Sequence, residues 1–276
     1  MAVDWVAQLS GFAIILVLGF AGGMLPAKVS KSQKSSKTLS FMNAFTGGLF
    51  FAVGLESFTD AAEDFGELNF LESIGLGSVP WHMSFALLAV IIIMAAEFGF
   101  VDVHGDDLLI QYENDTSDPS HSHGTSPYLL VVLLSIHSLL EGAAVGSASG
   151  RSFYVILIAI CAHKFFAALA LGTSITRGGI PFGKHFILVA IFALSTPLGQ
   201  FIGISFSSFL KARAAAVSSA IFASLATGTF AWVALCEILH PEMEMGTISD
   251  KRKKVLLAFL GMLSIIIVTA IMEEHD

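Results

Sequence analysis

Residues 128–173 read YLLVVLLSIHSLLEGAAVGSASGRSFYVILIAICAHKFFAALALGT, two apolar runs joined by a short Gly- and Ser-bearing turn. A helix needs about 20 mostly apolar residues to cross the hydrocarbon core of a bilayer, so each run (128–148 and 152–173) is long enough for one span. Continuous Leu, Ile, Phe and Ala over such lengths fits no alternating barrel strand. Six further stretches qualify, at 5–27, 41–60, 81–100, 185–206, 214–237 and 255–272. The fold class expected is therefore all-α: a polytopic membrane bundle of eight transmembrane helices, forming a single domain over residues 1–276. The first stretch has Asp4 ahead of it and no Lys or Arg, which reads as a retained span rather than a cleaved signal.

The bulk numbers agree. Of 276 residues, 55% are hydrophobic and 13% are charged, and the mean hydropathy is +0.78. Soluble domains carry about 25% charged residues, and no single core of this size would hide so much apolar surface from water. A conventional cytosolic enzyme and a disordered chain are excluded. The formal charge of −8 excludes a nucleic-acid partner. Cys161 and Cys236 both lie inside apolar runs and have neither disulfide-framework nor zinc-finger spacing.

Lys and Arg mark the cytoplasmic loops of membrane proteins. Lys28, Lys31, Lys34 and Lys37 follow span one, Arg177 and Lys184 follow span five, and Lys251, Arg252, Lys253 and Lys254 follow span seven. The opposite loops hold only Arg151, Lys211 and Arg213. Ten against three places the odd-to-even loops inside, with both termini outward. Residues 101–127 then form the longest cytoplasmic loop, rich in Asp and Glu, with His104, His121 and His123 and no Lys or Arg. Such a segment reads as flexible. Two uses stay open for it: a solvated linker, or weak metal capture through His121, His123 and the carboxylates.

Ionisable groups at membrane depth mark pathways and sites. His137 and Glu141 stand in mid-span four, and a separation of four puts both on one helix face. His163 and Lys164 lie at similar depth in span five, which the short turn makes an antiparallel neighbour. Two imidazoles and a carboxylate in a dry place suit a divalent transition metal, since neutral imidazole and carboxylate oxygen both bind Zn²⁺ and also accept Fe²⁺. The competing reading is a His–Glu pair that only ties helices together. Four such groups at one depth favour the metal site. Lys164 beside it would repel a second cation, or pair with Glu141 when metal is absent. Ser138 adds a hydroxyl on an adjoining face. Towards the outer mouth, Glu56 and Asp60 read as an entrance; towards the inner mouth, Glu237 and His240 read as an exit, each raising local cation concentration. Glu97 and His185 read as inner-surface groups, and Pro197 as a point where span six can break and free a carbonyl. Gly22-Gly23, Gly47-Gly48 and Gly142 to Gly146 allow close helix approach.

With these residues in view, the sequence resembles the ZIP (Zrt/Irt-like) family of metal-ion transporters over nearly its whole length. His137-Ser138-Leu139-Leu140-Glu141-Gly142 fits the family's HSxxEG pattern and His163-Lys164 its HK variant. Gly47-Gly48-Leu49-Phe50-Phe51-Ala52 and Gly228-Thr229-Phe230 through Glu237 are similar to its span-two and span-seven signatures. The resemblance implies His137, Glu141 and His163 as primary metal ligands. Two-metal members carry further carboxylates or amides where this chain has Ser138, Lys164, Ala167 and Thr196, so the chain resembles the single-metal branch that includes plasma-membrane zinc importers. Motif prolines are also missing, so that unwinding in span four either comes from Gly142 and Ser138 or does not occur.

The implied function is a secondary transporter, not an enzyme. Zn²⁺ first and Fe²⁺ second would be cargo rather than cofactor, imported into the cytoplasm by alternating access. Spans one, four, five and six would move against two, three, seven and eight, often within a homodimer in the lipid bilayer. The plasma membrane is expected over an organelle. The alternative class is an intramembrane metal-dependent hydrolase or oxidase, for which the chain has no HExxH or HxxxH pair within a span.

Overall fold

The computed structural model describes residues 5–29, 33–66, 75, 79–96, 127–148, 150–209 and 212–273. The 101–127 loop up to residue 126, with His121 and His123, lies outside the described residues, as do Glu97 and the side chain of Asp60. Every regular element among the described residues is helical. In chain order these are α1 (Trp5–Val29), α2 (Gln33–Gly66), α3 (Trp81–Ala96), α4 (Pro127–Ser147), α5 (Arg151–Arg177) and α6 (Phe182–Phe209). Next, α7 runs Ala212–Trp232, loosens into a π-helical Val233–Leu239 and ends as His240–Glu244; α8 (Ile248–Glu273) closes the chain.

Seven of the eight are long and apolar enough to cross a membrane. The exception among the described residues is α3: its Trp81–Ala96 segment would reach only about 24 Å at 1.5 Å per residue. The chain is a multi-pass membrane protein, and its exterior shows it. On α8, Val255, Leu256, Phe259, Ile266 and Ile267 are all at least half exposed, an apolar surface that a water-soluble monomer does not present.

The helices pack as two groups. The most extensive interface is between α4 and α6, and α1 lies against α5 and α6; separately, α2 packs on α8 and α7. The third helix joins the second group, since a Cβ on Gly228 of α7 would lie 2.1 Å from the Ala86 carbonyl oxygen. Contacts of α4 with α7 and of α2 with α5 join the groups. Between them lies an apolar core that includes Phe50, Leu134, Leu171, Phe192 and Phe230.

Small residues explain how close α4 and α6 come. A Cβ on Gly142 or Gly146 would sit 2.1 and 2.0 Å from the carbonyl oxygens of Thr196 and Gln200. Reciprocally, one on Gly199 or Gly203 would sit 2.0 and 2.1 Å from those of Leu139 and Ala143. Glycines four apart on each helix thus interlock with the other backbone, the close approach that small-xxx-small spacing permits. Both helices run unbroken: α6 continues past Pro197, where a break was expected, and α4 past Ser138 and Gly142.

The basic loops meet at one end. Lys37 is 3.3 Å from Asp250, Arg177 is 2.6 Å from Glu242, and Lys254 is 3.2 Å from the same carboxylate. The start of α2, the end of α5, the end of α7 and the start of α8 therefore lie together, as antiparallel succession requires.

Gly199→Ala should push α4 and α6 apart. A loss of about 1–3 kcal/mol, typical of overpacking, is expected as a lower thermal unfolding midpoint of the detergent-purified protein. Gly183→Ala, where a Cβ meets nothing within 4 Å, should leave the midpoint unchanged.

Candidate metal site

Three side chains converge where α4 and α5 face α7. The ligand-type atoms of His137, Glu141 and His163 lie within 4.8 Å of one another. Helical spacing brings the first two together: His137 Nε2 is 3.5 Å from Glu141 Oε1, one turn away. From α5, His163 Nε2 comes to 2.7 Å from the same oxygen. Both imidazoles are almost fully buried. The ring of Phe230 lies 4.3 Å from that of His137 and meets His163 edge-on at 5.2 Å, while Phe50 meets His163 edge-on at 6.2 Å.

The hydrogen bonding is incomplete in a specific way. Among the described residues, His137 Nε2, His163 Nδ1 and Glu141 Oε2 are buried without a hydrogen-bond partner, while His163 Nε2 has the Glu141 carboxylate as its polar contact. Buried polar atoms are normally satisfied, and each orphan is worth about 1–3 kcal/mol in lost solvation. Three orphans on three neighbouring residues, all of metal-ligating types, are groups that a cation would satisfy.

The other nitrogen of His137 is occupied. Nδ1 is 3.2 Å from the Ala226 carbonyl oxygen and 3.1 Å from Thr229 Oγ1, both on α7. A carbonyl only accepts, so this contact requires the proton on Nδ1, and in the neutral ring the lone pair is then on Nε2, the nitrogen nearer Glu141.

Of the two uses the sequence leaves open for Lys164, the pairing with Glu141 is not the one seen here. Its ammonium donates to Ser138 Oγ at 2.8 Å and Thr196 Oγ1 at 2.6 Å, and lies 4.0 Å above the Phe192 ring, with the residue 1% exposed. It does not pair with Glu141. The reason is helical geometry: neighbours on a helix point about 100° apart. His137 and His163 turn towards α7, while Ser138 and Lys164 turn towards α6. Each two-residue motif serves two interfaces.

The mouth residues separate. Glu56 accepts a short hydrogen bond from Thr269 Oγ1 on α8. Glu237 is buried within the π-helical turn of α7, whereas His240 is exposed and 3.5 Å from Glu244. His185, expected at the inner surface, is buried and bonded through Nε2 to the Gly23 carbonyl at 2.9 Å. Asp60, His121 and His123 lie outside the described side chains.

Residues that sequence reasoning passed over do much of the arranging. Thr229 and Phe230 entered only through a motif resemblance, and Thr196 only as a missing carboxylate. Glu242 is 1% exposed and gathers Arg177, Lys254, Ser40 Oγ and Asn43 Nδ2, tying α2, α5 and α8 to the end of α7. Its sequence signal was weak because its partners are 12 to 202 residues away.

A family described as ZIP zinc transporter matches residues 102–272. Zinc transporter ZIP3 of Rattus norvegicus is 28% identical, the alignment covering 87% of this chain and 90% of that protein. Protein zntD of Dictyostelium discoideum is 39% identical over 49% of this chain, but this spans only 20% of its own length. Zinc transporter 1 of Oryza sativa subsp. japonica is 36% identical over 54% of this chain and 43% of its own.

Removing a carboxylate from a buried ion cluster leaves its cations uncompensated. Glu242→Ala should therefore destabilise the fold by about 3–5 kcal/mol, read as a lower thermal midpoint in detergent. Glu244→Ala, at a half-exposed position, should change it little.

Proposed function

The chain belongs to the ZIP zinc transporter family, and on that premise we propose that it imports Zn²⁺, and secondarily Fe²⁺, into the cytoplasm by alternating access. Divalent-metal transport is the activity of the family; membership makes the chain a transporter rather than an enzyme. The direction, the second metal and the mechanism are our reading.

The observation that carries it is the convergence of His137, Glu141 and His163 with orphaned ligand atoms at the centre of an apolar bundle. These three are assigned as the cargo ligands. The single carboxylate keeps the site's charge low, and the buried Lys164 ammonium on its α6 side opposes a second cation. One ion per chain is the expected stoichiometry. Glu56 and Asp60 serve as the outer approach, Glu237 and His240 as the inner one, and His121 and His123 as cytoplasmic metal contacts. The ion-paired end, where the basic loops meet, is the cytoplasmic one, with both termini outside.

The helix grouping supports the alternating-access part. The site's ligands come from α4 and α5 of one group, while α7 of the other covers them. Movement of α1, α4, α5 and α6 against α2, α3, α7 and α8 would uncover the site to one side or the other. The whole chain forms one such transmembrane domain and works in the plasma membrane as a homodimer.

The test is radiolabelled Zn²⁺ uptake by cells expressing each variant. His137→Ala and Glu141→Ala should abolish saturable uptake while surface labelling stays at wild-type level. Competition should rank Zn²⁺ above Fe²⁺, with Mn²⁺ and Cd²⁺ as comparators. Unchanged uptake in both variants would overturn the assignment.

A further inference from the structure

His137 is bonded across the two helix groups. Its ring belongs to α4, yet its Nδ1 contacts, Ala226 O at 3.2 Å and Thr229 Oγ1 at 3.1 Å, belong to α7. The Thr229 hydroxyl has its own proton committed, donated to the Ala226 carbonyl at 2.7 Å. The oxygen's lone pairs are what it can offer to the imidazole. Both α7 groups therefore act as acceptors, and both ask for the proton on Nδ1. Thr229 is 5% exposed, so no bulk solvent competes for this arrangement. Phe230, the next residue, packs against the same imidazole, tilted by 56° with ring centroids 4.3 Å apart, and limits its rotation.

By contrast, His163 has no such support among the described residues: its Nδ1 is buried without a hydrogen-bond partner. The two imidazoles are thus unequal. One is braced from the other helix group; the other has the Glu141 carboxylate, 2.7 Å from its Nε2, as its polar contact.

We propose that Thr229 is a positioning residue for the cargo site: with the Ala226 carbonyl it fixes His137 as an Nε2 donor, and it does so only while α4 is docked on α7. This rests on His137 being a cargo ligand. Outer partners of metal-bound histidines orient the ring and strengthen it as a ligand, and losing one weakens metal affinity about 10- to 100-fold. Because the partner here sits on the opposite helix group, a shift of α4 along α7 removes it. Ligand strength is then tied to conformation: strong when the groups are docked as described, weaker when they have moved. A carrier needs such a difference to release what it has bound.

Thr229→Val keeps the shape and removes the hydroxyl; Thr229→Ser keeps the hydroxyl. In Thr229→Val the KM for Zn²⁺ uptake should rise about tenfold, the low end of that range because the Ala226 carbonyl remains, with Vmax per surface molecule unchanged or raised. Thr229→Ser should restore the wild-type KM. With purified protein, Co²⁺ titration followed by its visible absorption should show the same tenfold weakening for Thr229→Val, and none for Thr229→Ser. A KM and a Co²⁺ affinity within twofold of wild type in Thr229→Val would overturn the proposal, as would a fall in Vmax with unchanged KM. If His137→Ala also left uptake and Co²⁺ binding intact, the cargo-site reading itself would fail; if only Thr229→Val were silent, that reading would stand without this refinement.

Discussion

A carboxylate held between two imidazoles in an apolar bundle is the constraint around which the rest is arranged. Moving an ion from water into a low-dielectric interior is unfavourable by several kcal/mol even after relaxation. Glu141 has two rings beside one oxygen and nothing beside the other among the described residues. The neighbouring chain is built around that incomplete set. Aromatic rings of Phe50 and Phe230 wall it off, and α7 supplies the acceptors that turn one imidazole lone pair towards it. The one buried ammonium nearby is directed to hydroxyls on the α4 and α6 side instead.

That diversion depends on backbone distance. Lys164 reaches Thr196 and Ser138 at once because α4 and α6 lie close enough for glycine to be the only residue that fits at Gly142 and Gly199. Were the helices a side chain further apart, the ammonium would lose a partner, and Glu141 would be its nearest alternative. An ion pair there would neutralise the carboxylate and leave less reason for a cation to bind. The glycine interlock and the openness of the metal site are thus two aspects of one packing arrangement.

The sequence made the bundle legible because a span is a local property: twenty apolar residues announce it whatever their neighbours do. The four-residue spacing of His137 and Glu141 was legible for the same reason, since both lie on one helix. What depended on register between distant helices was not. Thr229 meets His137 across 92 positions, and Ser40 meets Glu242 across 202; no periodicity carries that information. Pro197 misled for a related reason. Its local rule predicts a break, yet α6 runs straight through, held along that stretch by its interlock with α4. His185 looked like an interfacial group because it opens a span, but its partner, the Gly23 carbonyl, belongs to α1.

The ligand count argues for cargo over a resident ion. A structural zinc site closes four positions with protein donors, and a catalytic one holds three with a fixed water. Here three residues approach, and only His137 has an outer partner that fixes it; His163 has an open Nδ1, and Glu141 presents one oxygen to both rings and leaves the other free. An ion bound there would have an incomplete shell, easily entered by water or by another carboxylate. Tight permanent binding needs every ligand braced from behind. A site with one braced imidazole and two adjustable donors favours exchange, and its bracing comes from the helix group that would have to separate for the ion to leave.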